Sequence, residues 1–186
     1  MNIRKGKKED YDIVPEMMLQ AMEEVIFSFI GKKDIEESIQ FLTELYRKTN
    51  NQYSFENTFV AEDEDENIIG TLTAYDGDLL EKLRKPVLEI MKAKYNIDII
   101  PENETEGNEF YLDTISVSPH CQGQGIGSKL LQYAITFAKD NGFKQVGLLV
   151  DLENPDAQRL YERVGFVLGK KTPLVGGEYY HMYIKF

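Results

Sequence analysis

The residues able to do chemistry concentrate in the second half of the chain. The densest group is Ser118-Pro119-His120-Cys121-Gln122-Gly123-Gln124-Gly125-Ile126-Gly127. An apolar, β-prone run from Phe110 to Val117 precedes it, and an amphipathic run from Ile126 to Lys139 follows. A strand, a glycine-rich loop and a helix in that order aim unpaired backbone N–H groups and the positive end of a helix dipole at one point. Such a point binds phosphate. Tyr161 offers a phenol on the apolar stripe Ala157, Leu160, Tyr161, Val164, whose i, i+3, i+4, i+7 spacing predicts a buried helix face. Asp113 offers a carboxylate in the middle of the central strand, and period-two alternation places it on one face with Glu109, Tyr111 and Ile115.

Other chemistries are poorly supported. The histidines and the single cysteine are scattered at His120, Cys121 and His181, which is no metal-ligand spacing, so no metal is expected. Cys121 reads as a small loop residue rather than a nucleophile, because nothing orients a base towards it except its chain neighbour His120. His181, inside the last strand, reads as a structural histidine. A nucleotide P-loop needs Gly-Lys-Ser/Thr at its end, whereas Gly127 is followed by Ser128 and Lys129 in the wrong order. The dinucleotide fingerprint finds Gly123, Gly125 and a suitable acid at Asp151, but has Ser128 where its last glycine belongs.

A pyrophosphate loop of the form Gln/Arg-x-x-Gly-x-Gly/Ala matches Gln122-Gly123-Gln124-Gly125-Ile126-Gly127 at every specified position. With Asn154-Pro155-Asp156-Ala157-Gln158-Arg159-Leu160-Tyr161-Glu162-Arg163-Val164-Gly165-Phe166 downstream, the chain resembles the GNAT-type N-acetyltransferases from about Phe110 to Phe166. The resemblance implies a mixed α/β fold: a mostly antiparallel sheet splayed at the cofactor cleft, with helices on both faces. It implies acetyl-coenzyme A as cosubstrate and a primary amine, of a small molecule or a peptide, as acceptor. The amine would attack directly in a ternary complex. Cofactor contacts would come from Ile115, Ser116 and Val117 along the splayed strand and from Gln122, Gly123, Gln124, Gly125, Ile126, Gly127 and Ser128 in the loop. Asn154 and Tyr161 complete that set. A backbone N–H near Ile115 would serve as oxyanion donor.

By the same resemblance Tyr161 is the general acid. Its ordinary pKa of about 10 lies within reach of a departing thiolate whose conjugate acid titrates near about 8.5. Asp113 is a candidate base, with a base acting through water as the alternative. A coenzyme A-binding sensor, a partner-binding protein on the same fold and an NAD(P)-dependent oxidoreductase are the competing readings.

The elements that must position these groups follow from pattern. Met18, Leu19, Met22, Val25, Ile26 and Phe29 predict a helix that Gly31 ends; Asp34 caps a second, with Ile35, Ile39, Leu42, Leu45 and Tyr46 on its stripe. Residues 2–4 read as a short strand, and Phe55–Glu62 and Ile68–Tyr75 as strands joined by a solvated acidic tip. Leu79, Leu80, Leu83, Val87, Leu88, Met91 and Tyr95 follow a helical period that Pro86 should kink. Glu102–Asn108 reads as an exposed loop, so residues 76–108 form a helical insertion between two strands. Gln145–Val150, Phe166–Gly169 and Tyr179–Phe186 supply the remaining strands.

At 186 residues the chain suits a single domain, 1–186. Its net charge of −11 disfavours nucleic acid as a partner. No apolar run approaches the ~18 residues of a membrane span. The charged start from Met1 to Tyr11 and the single cysteine predict a cytoplasmic protein; a monomer or a homodimer is expected.

Overall fold

A computed structural model describes all of residues 1–186. The strands are β1 (Asn2–Lys5), β2 (Thr58–Glu62), β3 (Ile68–Asp76), β4 (Glu109–Val117), β5 (Gln145–Asp151), β6 (Val167–Leu174) and β7 (Gly177–Lys185). They form one sheet in the order β1-β2-β3-β4-β5-β7-β6. Every neighbouring pair is antiparallel except β4 and β5. A helix, α4 (Ile126–Asp140), makes the crossover that this parallel pair requires. A mostly antiparallel sheet excludes the doubly wound dinucleotide fold that the glycines alone left open.

The two faces carry different helices. On one, α4 and α5 (Pro155–Val164) cover Phe59, Leu72, Ala74, Phe110, Leu112, Val146 and Leu148. On the other, α1 (Val14–Ile30), α2 (Ile35–Tyr46) and α3 (Leu80–Tyr95) pack around Val60 and Tyr53. Asp34 caps α2 by accepting from the Glu37 N–H at 3.0 Å, and Gly31 ends α1 at φ 72°. Within α1, Met22 leaves helical geometry (φ −144°, ψ 32°) and kinks the helix.

Several expectations change. Pro86 does not interrupt α3, which runs unbroken from Leu80 to Tyr95. The strand at Phe166–Gly169 extends to Leu174, and the one starting at Phe55 opens with a 3₁₀ turn and becomes strand at Thr58. Residues 102–108 are not simply an exposed loop, because Glu104 is only 7 % exposed.

The largest correction concerns β4. Thr114 opposes Thr73 but Leu112 opposes Ala74, so Asp113 is an extra, bulged residue. A bulge reverses the alternation. Phe110 and Leu112 face α4, and beyond the bulge Ile115 and Val117 do. Asp113 stands with Glu109, Tyr111, Thr114 and Ser116 on the α1 side. It shares a face with Glu109 and Tyr111 as period two predicts, but not with Ile115.

Candidate active site

Pairing between β4 and β5 runs from Glu109↔Gln145 to Leu112↔Leu148 and stops there. β5 continues beside β7 to Asp151, while β4 stays with β3 to Val117. The two strands therefore diverge at the Asp113 bulge. A cavity of about 980 Å³ opens into the divergence, bounded by β4, the glycine loop, α5 and the kinked stretch of α1.

One end is built by the loop. Gly123 and Gly125 hold φ of 75° and 78°, and a Cβ on either would meet nothing within 4 Å. Backbone conformation, not crowding, calls for glycine there, and open space lies above the loop. The first helical bond of α4 runs from the Lys129 N–H to the Gly125 carbonyl at 3.1 Å. That leaves the N–H groups of Ile126, Gly127 and Ser128 without an intrahelical partner. Gln122, Gly123, Gly125, Ile126, Gly127 and Ser128 all border the cavity; Gln124, turned to the His120 carbonyl at 3.4 Å, does not. Ile115, Ser116 and Val117 border it too, and the Val117 carbonyl accepts from the side-chain amides of Gln20 and Gln122, each at 3.2 Å.

From the far wall come Asn154 and Tyr161. Asn154 caps α5, its Oδ1 accepting from the Ala157 N–H at 3.1 Å, with Pro155 in the first turn. Tyr161 is 8 % exposed, packs edge-on against Phe166, and has its phenol pushed up to about 12 by burial. Cys121 is half-buried at the cavity edge.

At the opposite end stand Tyr53, Tyr111, Glu104 and Asp113. Glu104 Oε1 accepts from Gln52 Nε2 at 2.7 Å and from the Tyr75 hydroxyl at 2.9 Å, and lies 3.5 Å from the Arg84 guanidinium. Arg84, 5 % exposed, also donates to the carbonyls of Pro101 and Glu102 at 2.9 and 3.1 Å. Asp113 Oδ2 is buried with no partner, as are Thr114 Oγ1 and Ser116 Oγ. Burial, and then the Glu104 charge, push the Asp113 carboxyl well above its ordinary range; burial also raises Glu104 despite Arg84.

Beneath this end, Glu109 (0 % exposed) and His181 (1 %) lie side by side, with Nε2 3.0 Å from the nearer carboxylate oxygen. Glu109 also accepts from Gln145 Nε2 at 3.0 Å and from the Glu106 N–H at 2.6 Å, which ties the 102–108 segment to the sheet. His181 is thus partnered by Glu109 and does not border the cavity.

Sequence reasoning missed Glu104. One signal was available: Arg84 falls on the stripe Leu80, Leu83, Val87, Met91 of α3. A guanidinium on an apolar stripe needs an acidic or carbonyl partner nearby.

The sequence profile of the acetyltransferase (GNAT) family matches residues 27–166. The chain belongs to this family. Over its whole length the GNAT chain superposes on a solved acetyltransferase at 30 % identity and TM-score 0.82, covering 99 % of that protein. An N-acetyltransferase from Staphylococcus aureus Mu50 gives a TM-score of 0.84 at 20 % identity, with 99 % of this chain and 100 % of that one covered, and supports the fold alone. Curated relatives match over shorter stretches. An Agrobacterium fabrum acetyltransferase is 41 % identical across 37 % of this chain and 49 % of its own length. The thialysine N-epsilon-acetyltransferase of Bos taurus is 40 % identical across 32 % of this chain and 35 % of its own length. The matched stretches thus span about half or less of these relatives. No helix of this GNAT chain is long and apolar enough to cross a membrane.

Proposed function

We propose that this GNAT protein transfers an acetyl group from acetyl-coenzyme A to a primary amine by direct attack in a ternary complex. The observation that carries the reading is the divergence of β4 from β5 at Leu112 and Leu148. It opens one continuous cavity with free N–H groups at one end and carboxylates at the other.

The pyrophosphate of the cosubstrate would sit over the Ile126, Gly127 and Ser128 amides and the helix dipole. Backbone groups of Ile115–Val117, unpaired on the β5 side, would hold the pantetheine arm and aim the thioester along β4. A ligand arm reaching the Val117 carbonyl would displace the Gln20 and Gln122 amides that hold it. The N–H near Ile115 would face the thioester oxygen as charge develops on it.

Asp113 is the proposed base. Its raised affinity for protons suits it to take one from the attacking nitrogen: the nitrogen lone pair forms the N–C bond, an N–H bond breaks as an O–H bond forms on Asp113, and the C–S bond breaks. Tyr161 would hand a proton to the departing sulfur. Burial keeps the phenol protonated but widens its mismatch with a thiol of about 8.5. Tyr161→Phe should therefore lower kcat about 10- to 100-fold, a larger loss than any in acetyl-coenzyme A affinity. Equal turnover in that variant would remove the hydroxyl from the mechanism.

Thermal unfolding with and without acetyl-coenzyme A tests the reading itself. Ligand at about 100 times its dissociation constant should add ~2.7 kcal/mol of stability. No shift at saturation, or a shift with NAD(P) instead, would overturn it.

A further inference from the structure

Amine acetylation needs one carboxylate base at most, yet the inner end of the cavity holds two. Glu104 and Asp113 face a single guanidinium, Arg84, whose N–H groups are largely engaged by the Pro101 and Glu102 carbonyls. With both carboxylates ionised the cluster lacks one positive charge. Alongside it, Asp113 Oδ2, Thr114 Oγ1 and Ser116 Oγ are buried without partners. Thr114 and Ser116 are 4 % and 6 % exposed, and all three residues border the cavity. Asp113 Oδ2 can only accept while ionised and the two hydroxyls can accept as well as donate, so a ligand that brings donors can partner all three.

An alkylammonium ion fits both demands. It carries the missing charge and has three N–H donors. The nearby rings of Tyr53 and Tyr111 and the side chains of Leu149 and Leu174 suit an alkyl chain behind the ammonium.

Resting on the acetyl-transfer reading above, we propose that Glu104 is a specificity-determining residue that joins Asp113 in a paired-carboxylate subsite selecting aliphatic primary amines in their ammonium form. Residues 76–108 then have a purpose: α3 supplies Arg84, and the segment behind it carries Glu104 to the cavity. The ammonium is held by both carboxylates. One of its N–H bonds breaks as an O–H bond forms on Asp113, which frees the nitrogen lone pair; Asp113 releases that proton to solvent and takes the second one as the lone pair forms the N–C bond. Glu104 keeps its bonds to Gln52 and Tyr75 throughout and acts by charge. The other titratable groups facing the pair are Tyr53, Tyr75 on β3, Tyr111 on β4 and Arg84 on α3; Glu23 and Glu24 of α1 stand at the cavity wall.

Calorimetry on the protein alone tests the subsite with hexylamine, hexan-1-ol of matched length, and 4-methylaniline, which is uncharged at neutral pH. Hexylamine should bind at least about 30-fold tighter than either of the others, and Glu104→Gln should erase most of that preference. Asp113→Asn should erase it as well, so the outcome does not hang on one variant folding; circular dichroism checks both. In turnover with hexylamine, Glu104→Gln should move the acid limb of kcat/KM to lower pH, because the charge that raises Asp113 is gone. A purely structural role would leave that limb in place. Equal hexylamine binding in wild type and in both folded variants, or tighter binding of 4-methylaniline or hexanol, would overturn the proposal. Acetyl-coenzyme A stabilisation is read on the same samples. A shift there without amine preference sinks the subsite alone, and amine preference without a shift sinks the acetyl-transfer reading.

Discussion

Asp113→Asn should lower kcat/KM for an alkylamine about 100-fold or more at neutral pH, the usual scale for losing a positioned base. The pH profile gives the sharper reading. Burial and Glu104 hold the Asp113 carboxyl well above the ordinary carboxylate range. The base form therefore appears only as pH rises through that elevated value, and wild-type kcat/KM should climb along a limb displaced upward in pH. Asn has no such titration, so the limb should vanish in the variant. Stability should move the other way. A carboxyl whose folded pKa is raised favours the fold fully only below its unfolded value of about 3.9, and that contribution is lost as pH rises through the folded value. At neutral pH the Asn variant should therefore match or exceed wild type in denaturant midpoint while being far less active. A variant both inactive and unstable would mark Asp113 as structural.

Gly147→Ala should have the largest effect on stability. The Glu109 side chain crosses β5 over Gly147 to reach His181 on β7. A Cβ at that position would lie 2.0 Å from Glu109 Oε2 and 2.8 Å from His181 Nε2. One of the two must move, and both are buried. Separating a buried, hydrogen-bonded pair of this kind costs ~3 kcal/mol or more. The loss should appear as a lowered urea midpoint with unchanged slope. Because Glu109 also holds the Glu106 N–H, the Glu104 segment should loosen, and KM for the amine should rise in whatever protein stays folded. An unchanged midpoint would mean that the sheet yields around the methyl group at little cost.

These variants divide by how the residues involved can be recognised. Gln122–Gly127 and Asn154–Phe166 are legible because their work is local. A positive φ needs glycine, a helix start needs a cap, and a buried stripe needs its spacing, all within a dozen or so residues. The helices of the first half are legible for the same reason. Arg84 was visible as a charge on an apolar stripe, but its partners were not. Glu104 reads as one acid among several in a polar run, yet Gln52 and Tyr75, which hold it, lie 52 and 29 residues away in sequence. Burial decided by such distant contacts leaves no local mark.

Sequence alone determined the family-like core: the glycine loop, the helix behind it, the capped α5 with Tyr161, and the succession of strands along the chain around them. Each is written in short-range spacing that backbone geometry enforces. Only the tertiary structure decided how the cavity is floored. One inserted residue in β4 turned Asp113 away from Ile115, because a bulge reverses alternation without any signature in composition. The same bulge lies where β4 leaves β5, so the opening of the cleft and the aim of its carboxylate come from a single register shift between strands that are far apart in sequence.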